Sequence, residues 1–193
     1  IGGMRQLGFI FSTNSLEWLC VYLACLRVGH VPLLLTEDLE SSLAEQLINT
    51  YQPAWIWSPL SEEMQLRSTE ITLASILAAF VWRQPRTQAP LHPDLGLLLS
   101  TSGSTGSPKL VRLSYQALSA NASSISDYLA IQTKDRALTT LSPSYSYGLS
   151  VINSHLATGA SLVMGNISLM SRDFLRIVQQ EQVTSLAGVP TWY

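Results

Sequence analysis

"LLLSTSGSTGSPKLVRLS", residues 97–114, is the stretch that decides the fold, because it sets a loop of small polar residues between two apolar runs. Every position from Ser100 to Ser107 is a glycine, serine or threonine, and Pro108 and Lys109 follow. Glycine lets the backbone approach a ligand closely, and successive N–H and O–H donors can surround one anion. The loop and its lysine therefore predict a polyphosphate site. The same composition is also typical of a flexible linker or a hairpin tip, and this alternative stays open.

Two common phosphate-binding patterns do not fit this loop. A Walker P-loop ends in Gly-Lys-Ser/Thr, whereas Pro108 stands at the corresponding glycine position and Lys109 is followed by Leu110. The dinucleotide fingerprint G-x-G-x-x-G fails too, since no glycine lies two residues from Gly103 or Gly106. The residues after the loop alternate like a strand, so the loop is expected to join strand to strand with no helix N-terminus beneath the phosphates.

Short apolar runs alternate with helical patterns along most of the chain. The predicted strands are 7–11, 31–35, 54–57, 95–100, 137–141, 160–164 and 184–187. The first predicted helix carries the apolar periodicity from Leu16 to Leu26, with Thr13 or Asn14 as a possible N-cap and a stop at Gly29. The other predicted helices are 39–51, 115–129, 150–157 and 171–182. Repeated strand–helix–strand units predict an α/β fold with a largely parallel sheet flanked by helices. Residues 58–93 fit either a strand followed by a helix or an edge hairpin.

Composition excludes several classes of function. The chain has 193 residues, of which 47% are hydrophobic and 12% charged, so it can bury a core and fits one domain of roughly 100–200 residues. A net charge of −2 with scattered basic residues argues against a nucleic-acid partner. Charged residues, Gly29 and Pro32 interrupt the longest apolar run, 16–35, so no transmembrane segment is predicted. No pattern points to export, and a cytoplasmic location is expected.

The two cysteines, Cys20 and Cys25, fall five residues apart on different faces of the first predicted helix. This spacing matches no metal-binding or redox motif. Both are expected to be small buried hydrophobic residues in a reducing cytosol.

The stretch TSGSTGSPKLV, residues 101–111, closely resembles the signature of the AMP-forming adenylating enzymes, which include acyl-CoA synthetases, luciferases and adenylation domains of nonribosomal peptide synthetases. Residues 14–34, 113–125, 141–164 and 188–193 resemble further segments of the same family. Tyr115 stands where many members carry His, and Asn121 occupies a commonly matching position. The resemblance thus covers nearly the whole chain.

The resemblance implies a two-step reaction. A carboxylic acid attacks the α-phosphate of ATP with Mg²⁺, pyrophosphate leaves, and a thiol of coenzyme A or of a phosphopantetheinyl carrier protein then takes the acyl group. It assigns the β- and γ-phosphates of ATP to Thr101, Ser102, Gly103, Ser104, Thr105 and Gly106. Lys109 would offset their charge as pyrophosphate develops, which is electrostatic stabilisation rather than covalent chemistry. No catalytic residue and no metal ligand is assigned within the chain.

The resemblance also places a substrate-side loop at residues 143–148, where many relatives carry a His. This chain instead offers Ser144, Tyr145, Ser146, Tyr147 and Gly148. Two interpretations stay open: the tyrosines line the substrate site, or both pack structurally with their hydroxyls satisfied. His155 falls inside the following helix and is expected to be a packed or surface residue, not a base.

The chain is expected to be an incomplete N-terminal subdomain, residues 1–193, of a longer adenylating enzyme whose C-terminal domain is absent. The family's later motifs cannot be located in it. The isolated chain is therefore expected to be inactive and to self-associate through exposed apolar surface. A non-catalytic homologue that serves as a binding or scaffold module is the alternative function.

Overall fold

The computed structural model describes residues 5–59, 80–82, 90–100, 109–165 and 167–189. The chain divides into two compact units, each built around its own β-sheet. The first unit comprises Ile1–Thr13 and Glu17–Ser114, and the second comprises Asn14–Leu16 and Tyr115–Tyr193. Among the described residues, no helix combines the length and the apolar character needed to cross a bilayer.

The first unit is built on a six-stranded sheet. Its elements are β1 (Leu7–Ser12), α1 (Leu16–Val28), β2 (Val31–Thr36), α2 (Ser41–Tyr51), β3 (Trp55–Trp57), β4 (Phe80–Trp82), β5 (Leu95–Ser100) and β6 (Leu110–Ser114). The strand order is β4-β3-β1-β2-β5-β6. Strands β3, β1, β2 and β5 run parallel, and β4 and β6 close the two edges in the antiparallel sense. The predicted largely parallel sheet is therefore confirmed.

The core of this unit lies along β1 and β2. The five residues from Val31 to Leu35 are all buried, as expected for a parallel strand with both faces covered. Phe9 on β1 lies opposite Leu33 on β2, and both belong to a core cluster that α2 completes with Leu47. Burial of each such side chain stabilises the fold by about 1.5–3 kcal/mol, so the sheet centre holds the unit together.

Arg5 fixes the beginning of β1 to two other parts of the first unit. Its Nε donates a hydrogen bond to the carbonyl of Gly29 at 2.9 Å, just after α1 ends. One terminal nitrogen donates to the carbonyls of His92, at 2.9 Å, and Pro93, and the other donates to the carbonyl of Leu95. A guanidinium suits this position because it presents several donors in a fixed plane.

The second unit contains a three-stranded parallel sheet in the order β8-β7-β9. Its elements are α3 (Tyr115–Leu129), β7 (Arg136–Leu138), α4 (Ser146–Ala157), β8 (Ser161–Val163), α5 (Phe174–Gln180) and β9 (Ser185–Leu186). The buried hydroxyl of Ser126 on α3 lies 2.8 Å from the carbonyl of Ala122 and 2.9 Å from that of Ser154 on α4. This contact sets the two helices side by side.

Every predicted strand is present, with bounds that differ by a few residues. Of the open region 58–93, residues 80–82 form an antiparallel edge strand beside β3. The largest difference is at α4, which begins at Ser146 and not at residue 150. Its first turn contains Gly148, a poor helix former, so the apolar periodicity starts only after it.

The prediction that both cysteines are buried is wrong for Cys20, which is exposed, and confirmed for Cys25. The apolar pattern of α1 extends around more than one side of the helix, and Leu16 and Leu23 are exposed together with Cys20. Only the side of α1 that carries Trp18 and Tyr22 packs into the core of the unit, and the centroids of these two stacked rings lie 5.1 Å apart. A broad apolar stripe does not tell which of its sides faces inward.

Candidate functional site

The Gly-rich loop connects the two antiparallel strands β5 and β6. Ser100 at the end of β5 pairs with Leu110 at the start of β6, which confirms that the loop joins strand to strand. Lys109 is exposed immediately before β6. The six residues predicted to hold phosphate, Thr101, Ser102, Gly103, Ser104, Thr105 and Gly106, lie outside the described residues.

Residues 143–148, predicted to form a substrate-side loop, follow β7 at the carboxyl end of a parallel strand, where α/β folds commonly bind ligands. A tight turn forms first: the Tyr145 N–H donates to the carbonyl of Ser142 at 3.0 Å, and the hydroxyls of Ser142 and Ser144 lie 2.8 Å apart. Tyr145 and Tyr147 are 52% and 43% exposed. Neither ring is buried in the core, so both tyrosines are partly accessible to solvent.

Gly148 and Tyr147 were predicted in the loop, but both belong to the first turn of α4. Gly148 is buried there. A Cβ added to it would lie 2.3 Å from the carbonyl oxygen of Ser142 and 2.9 Å from that of Leu141. Glycine is thus required at this position because the helix and the preceding segment touch through their backbones.

An open cleft of about 410 Å³ lies beside this segment, between α3, α4 and β9. Its walls are mainly apolar and include Ile125 and Leu129 of α3, Val151 of α4 and Leu186 of β9. Tyr147 also lines the cleft, so the cleft adjoins residues 143–148. Cavities of this size and apolar character are typical of sites for small organic molecules.

A buried histidine lies at the polar side of the cleft. His155 is only 4% exposed, and its Nδ1 lies 2.8 Å from the carbonyl oxygen of Val151. Its Nε2 lies 3.0 Å from the hydroxyl of Ser185 on β9. A carbonyl only accepts hydrogen bonds, so Nδ1 carries a proton, and in the neutral ring Nε2 accepts from Ser185. The expectation that His155 is a packed residue is confirmed.

Sequence reasoning did not single out Ser185 or the cleft. Ser185 stands in a short, mainly apolar stretch that is typical of a buried strand, and no motif surrounds it. Within the described part of the chain, no group of three or more His, Cys, Asp or Glu residues could hold a metal ion. The described lining of the cleft offers apolar burial together with a few hydrogen-bonding groups.

Comparison with known proteins supports the family that the sequence resembles. The family model described as AMP-binding enzyme matches residues 6–193, so the chain belongs to the AMP-forming adenylating enzymes. A curated relative, the hybrid PKS-NRPS synthetase pvhA of Talaromyces variabilis, is 28% identical over 193 residues, which is 95% of this chain and 5% of that protein. This chain is therefore similar to a small part of a very long protein.

Solved structures share the fold. o-Succinylbenzoate CoA synthetase (MenE) from Bacillus subtilis, in complex with the acyl-adenylate intermediate OSB-AMP, matches with a TM-score of 0.75 and 21% identity over 98% of this chain and 51% of its own. ATP-bound MatB from Rhodopseudomonas palustris matches with a TM-score of 0.76 and 22% identity over 100% of this chain and 41% of its own. The chain thus spans about half or less of these enzymes, and the predicted fold class is confirmed.

Proposed function

We propose that the protein containing this chain activates a carboxylic acid with ATP. The acid's oxygen forms a bond to the α-phosphorus, the bond from that phosphorus to the β-phosphate oxygen breaks, and an acyl-adenylate and pyrophosphate result. The family match over residues 6–193, which includes the Gly-rich signature, carries this proposal. Structures of similar proteins hold an acyl-adenylate in one case and ATP with Mg²⁺ in another, which supports the same chemistry.

In this proposal the first unit supplies the phosphate site. The loop residues from Thr101 to Gly106 surround the β- and γ-phosphates with N–H and O–H donors, and Lys109 offsets the negative charge that develops on pyrophosphate. The exposed position of Lys109 next to the loop is compatible with this role. Mg²⁺ bound to the phosphates of ATP would supply further charge neutralisation.

The second unit would receive the carbon skeleton of the acid. Its cleft is mainly apolar, and Tyr147 of the substrate-side segment forms part of its lining. Ser144 and Tyr145 in the adjoining turn, together with Gly148, which allows that turn to touch α4, would shape the approach to the cleft.

Transfer of the acyl group to a thiol is proposed as the second step. The names of the similar proteins, a CoA synthetase and a hybrid PKS-NRPS synthetase, support coenzyme A or a phosphopantetheinyl carrier protein as the acceptor. We also propose that the 193-residue chain alone is inactive and self-associates. The apolar residues Leu16, Leu23 and Val28 of α1 are between 42% and 60% exposed, which favours self-association.

Pyrophosphate exchange by the full-length protein tests this function. Wild type is compared with Lys109→Ala over a panel of short, branched, aromatic and amino-acid carboxylates. Loss of a charged hydrogen-bonding group is expected to reduce exchange roughly ten- to a hundredfold, from about 1.5–3 kcal/mol for such a bond. Lys134→Ala removes another exposed lysine, in the second unit, and is expected to leave exchange unchanged.

Thermal unfolding accompanies the exchange assay. Equal melting temperatures of wild type and Lys109→Ala would assign the loss of exchange to the phosphate site. A folded full-length protein that exchanges with no acid would contradict adenylation and favour a non-catalytic binding or scaffold module.

A further inference from the structure

The serines that line the cleft already donate their hydroxyl protons to protein acceptors. Ser150 on α4 donates to the Ser146 carbonyl at 2.8 Å or to Asn121 Oδ1 at 3.2 Å. Ser154 donates to the Val151 carbonyl at 3.2 Å. Each hydroxyl has a single proton, so what these groups retain for a ligand is acceptor capacity.

Ser185 on β9 likewise donates its hydroxyl hydrogen to a protein acceptor. His155 Nδ1–H donates to the Val151 carbonyl at 2.8 Å, and in the tautomer that this contact selects Nε2 accepts a hydrogen bond from the Ser185 hydroxyl at 3.0 Å. Ser154 and His155 are buried, whereas Ser185 is half-buried and lines the cleft. The Ser185 oxygen is thus an oriented acceptor that a ligand can reach.

Among the described residues, those that line the cleft include no Asp, Glu, Lys or Arg, and the polar ones are Ser150, Ser154, Ser185, His155, Tyr128 and Tyr147. A charged group buried against these walls would lose its hydration without gaining an opposite charge. The cleft volume of about 410 Å³ falls within the range of sites that bind small organic molecules.

The geometry points to a substrate class for the proposed adenylation: an acid whose carbon skeleton is uncharged and largely apolar and carries one hydrogen-bond donor, such as a phenolic hydroxyl, that is accepted by Ser185 Oγ. This inference rests on the proposed function. It makes Ser185 a specificity-determining residue, held in orientation by His155 as a positioning residue.

The test uses the full-length protein and a set of matched acids. The set consists of phenylpropanoic acid, its ortho, meta and para hydroxyphenyl counterparts, and a counterpart with a second carboxyl group on the ring. Binding is measured by calorimetry without ATP, and activation is measured separately by pyrophosphate exchange. The best hydroxylated acid is expected to bind about tenfold more tightly than phenylpropanoic acid, and the ring carboxylate is expected not to bind.

Three variants assign the preference to Ser185. Ser185→Ala is expected to remove the tenfold preference while phenylpropanoic acid still binds, and Ser185→Thr, which retains a hydroxyl, is expected to keep the preference. Ser161→Ala is the matched control, because Ser161 is an exposed serine of β8 outside the cleft. Thermal unfolding identifies any variant that fails to fold. Comparing the affinities of the hydroxylated and unsubstituted acids in wild type and in Ser185→Ala isolates the binding free energy of this one hydrogen bond.

The outcomes separate this inference from the proposed function. Equal preference in wild type and Ser185→Ala, or binding of the ring carboxylate, would overturn the substrate class, and exchange with other acids would leave adenylation standing. Selective binding of the hydroxylated acids without any exchange would support the cleft assignment and refute adenylation.

Discussion

Substitution of Gly148 by alanine tests the backbone contact at the start of α4. Two effects of opposite sign compete. Alanine is favoured over glycine inside a helix by about 1 kcal/mol. The new Cβ, however, would lie 2.3 Å from the Ser142 carbonyl oxygen, where ordinary van der Waals contact begins at 3.4 Å. Overpacking of this kind costs about 1–3 kcal/mol.

The contact cannot relax easily, because the segment opposite Gly148 is held in place. The carbonyl of Leu141 accepts a hydrogen bond from Asn14 Nδ2 at 3.3 Å, and that of Ser142 accepts one from the Tyr145 N–H at 3.0 Å. We therefore place the overpacking cost at its upper end. Gly148→Ala is expected to destabilise the fold by about 1–2 kcal/mol net, which lowers Tm by roughly 2–8 °C in a chain of this size.

Thermal and denaturant unfolding measure this effect. Gly165→Ala is the matched control, because its added Cβ would come no closer than 3.5 Å to the side chain of Ile167. Its stability is expected to stay within about 0.5 kcal/mol of wild type. A Gly148→Ala protein that melts at or above the wild-type temperature would refute the close approach and leave only helix propensity.

Three further predictions concern the first unit. Arg5→Lys is expected to lower the free energy of unfolding, measured by denaturant titration, by roughly 1–3 kcal/mol, because an ammonium cannot reach the same four carbonyls. Unchanged stability would show that the planar arrangement of the guanidinium donors is unimportant. Burial raises the pKa of the Cys25 thiol to about 12. Iodoacetamide at pH 8 is therefore expected to label the exposed Cys20 and to label Cys25 only after the protein unfolds. Mass spectrometry measures the labelling of each cysteine, and equal labelling in the folded protein would contradict this prediction. Burial and the nearby Arg5 charge lower the pKa of His30 below its ordinary value of 6.5. The unfolded chain therefore binds a proton at His30 more readily than the folded protein does, so the contribution of the neutral His30 to stability is complete above pH 6.5 and is lost as the pH falls below 6.5. His30→Gln should flatten the fall of Tm between pH 7.5 and pH 5, and parallel Tm profiles would contradict this assignment.

The sheet could be predicted from the sequence because its strands are short apolar runs with clear boundaries. Val31–Thr36 is buried at five consecutive positions, and Leu95–Ser100 was predicted with its observed bounds. The strand-to-strand connection at the Gly-rich loop followed from the alternation after Lys109. These features are local, so a few neighbouring residues contain the whole signal.

The cleft could not be predicted, because its parts come from three separate elements. Ile125, His155 and Ser185 become neighbours only when α3, α4 and β9 pack together. The close backbone contact at Gly148 could not be predicted either. The sequence marks it as a poor helix former, whereas its close contact with Ser142 depends on how the preceding turn folds back.

The order of the strands has a consequence for synthesis on the ribosome. Strands β1, β2 and β3 belong to consecutive strand–helix–strand units, so their pairing needs only segments that are near in the chain. β5, which covers the other side of β2, emerges much later, and the Arg5 contact with the Leu95 carbonyl joins residues 90 positions apart. The edge of β2 that pairs with β5 therefore stays unpaired until β5 emerges, and exposed strand edges of this kind promote aggregation. Slow translation between β3 and β5 would prolong this exposure, and chaperone binding at that stage would limit it.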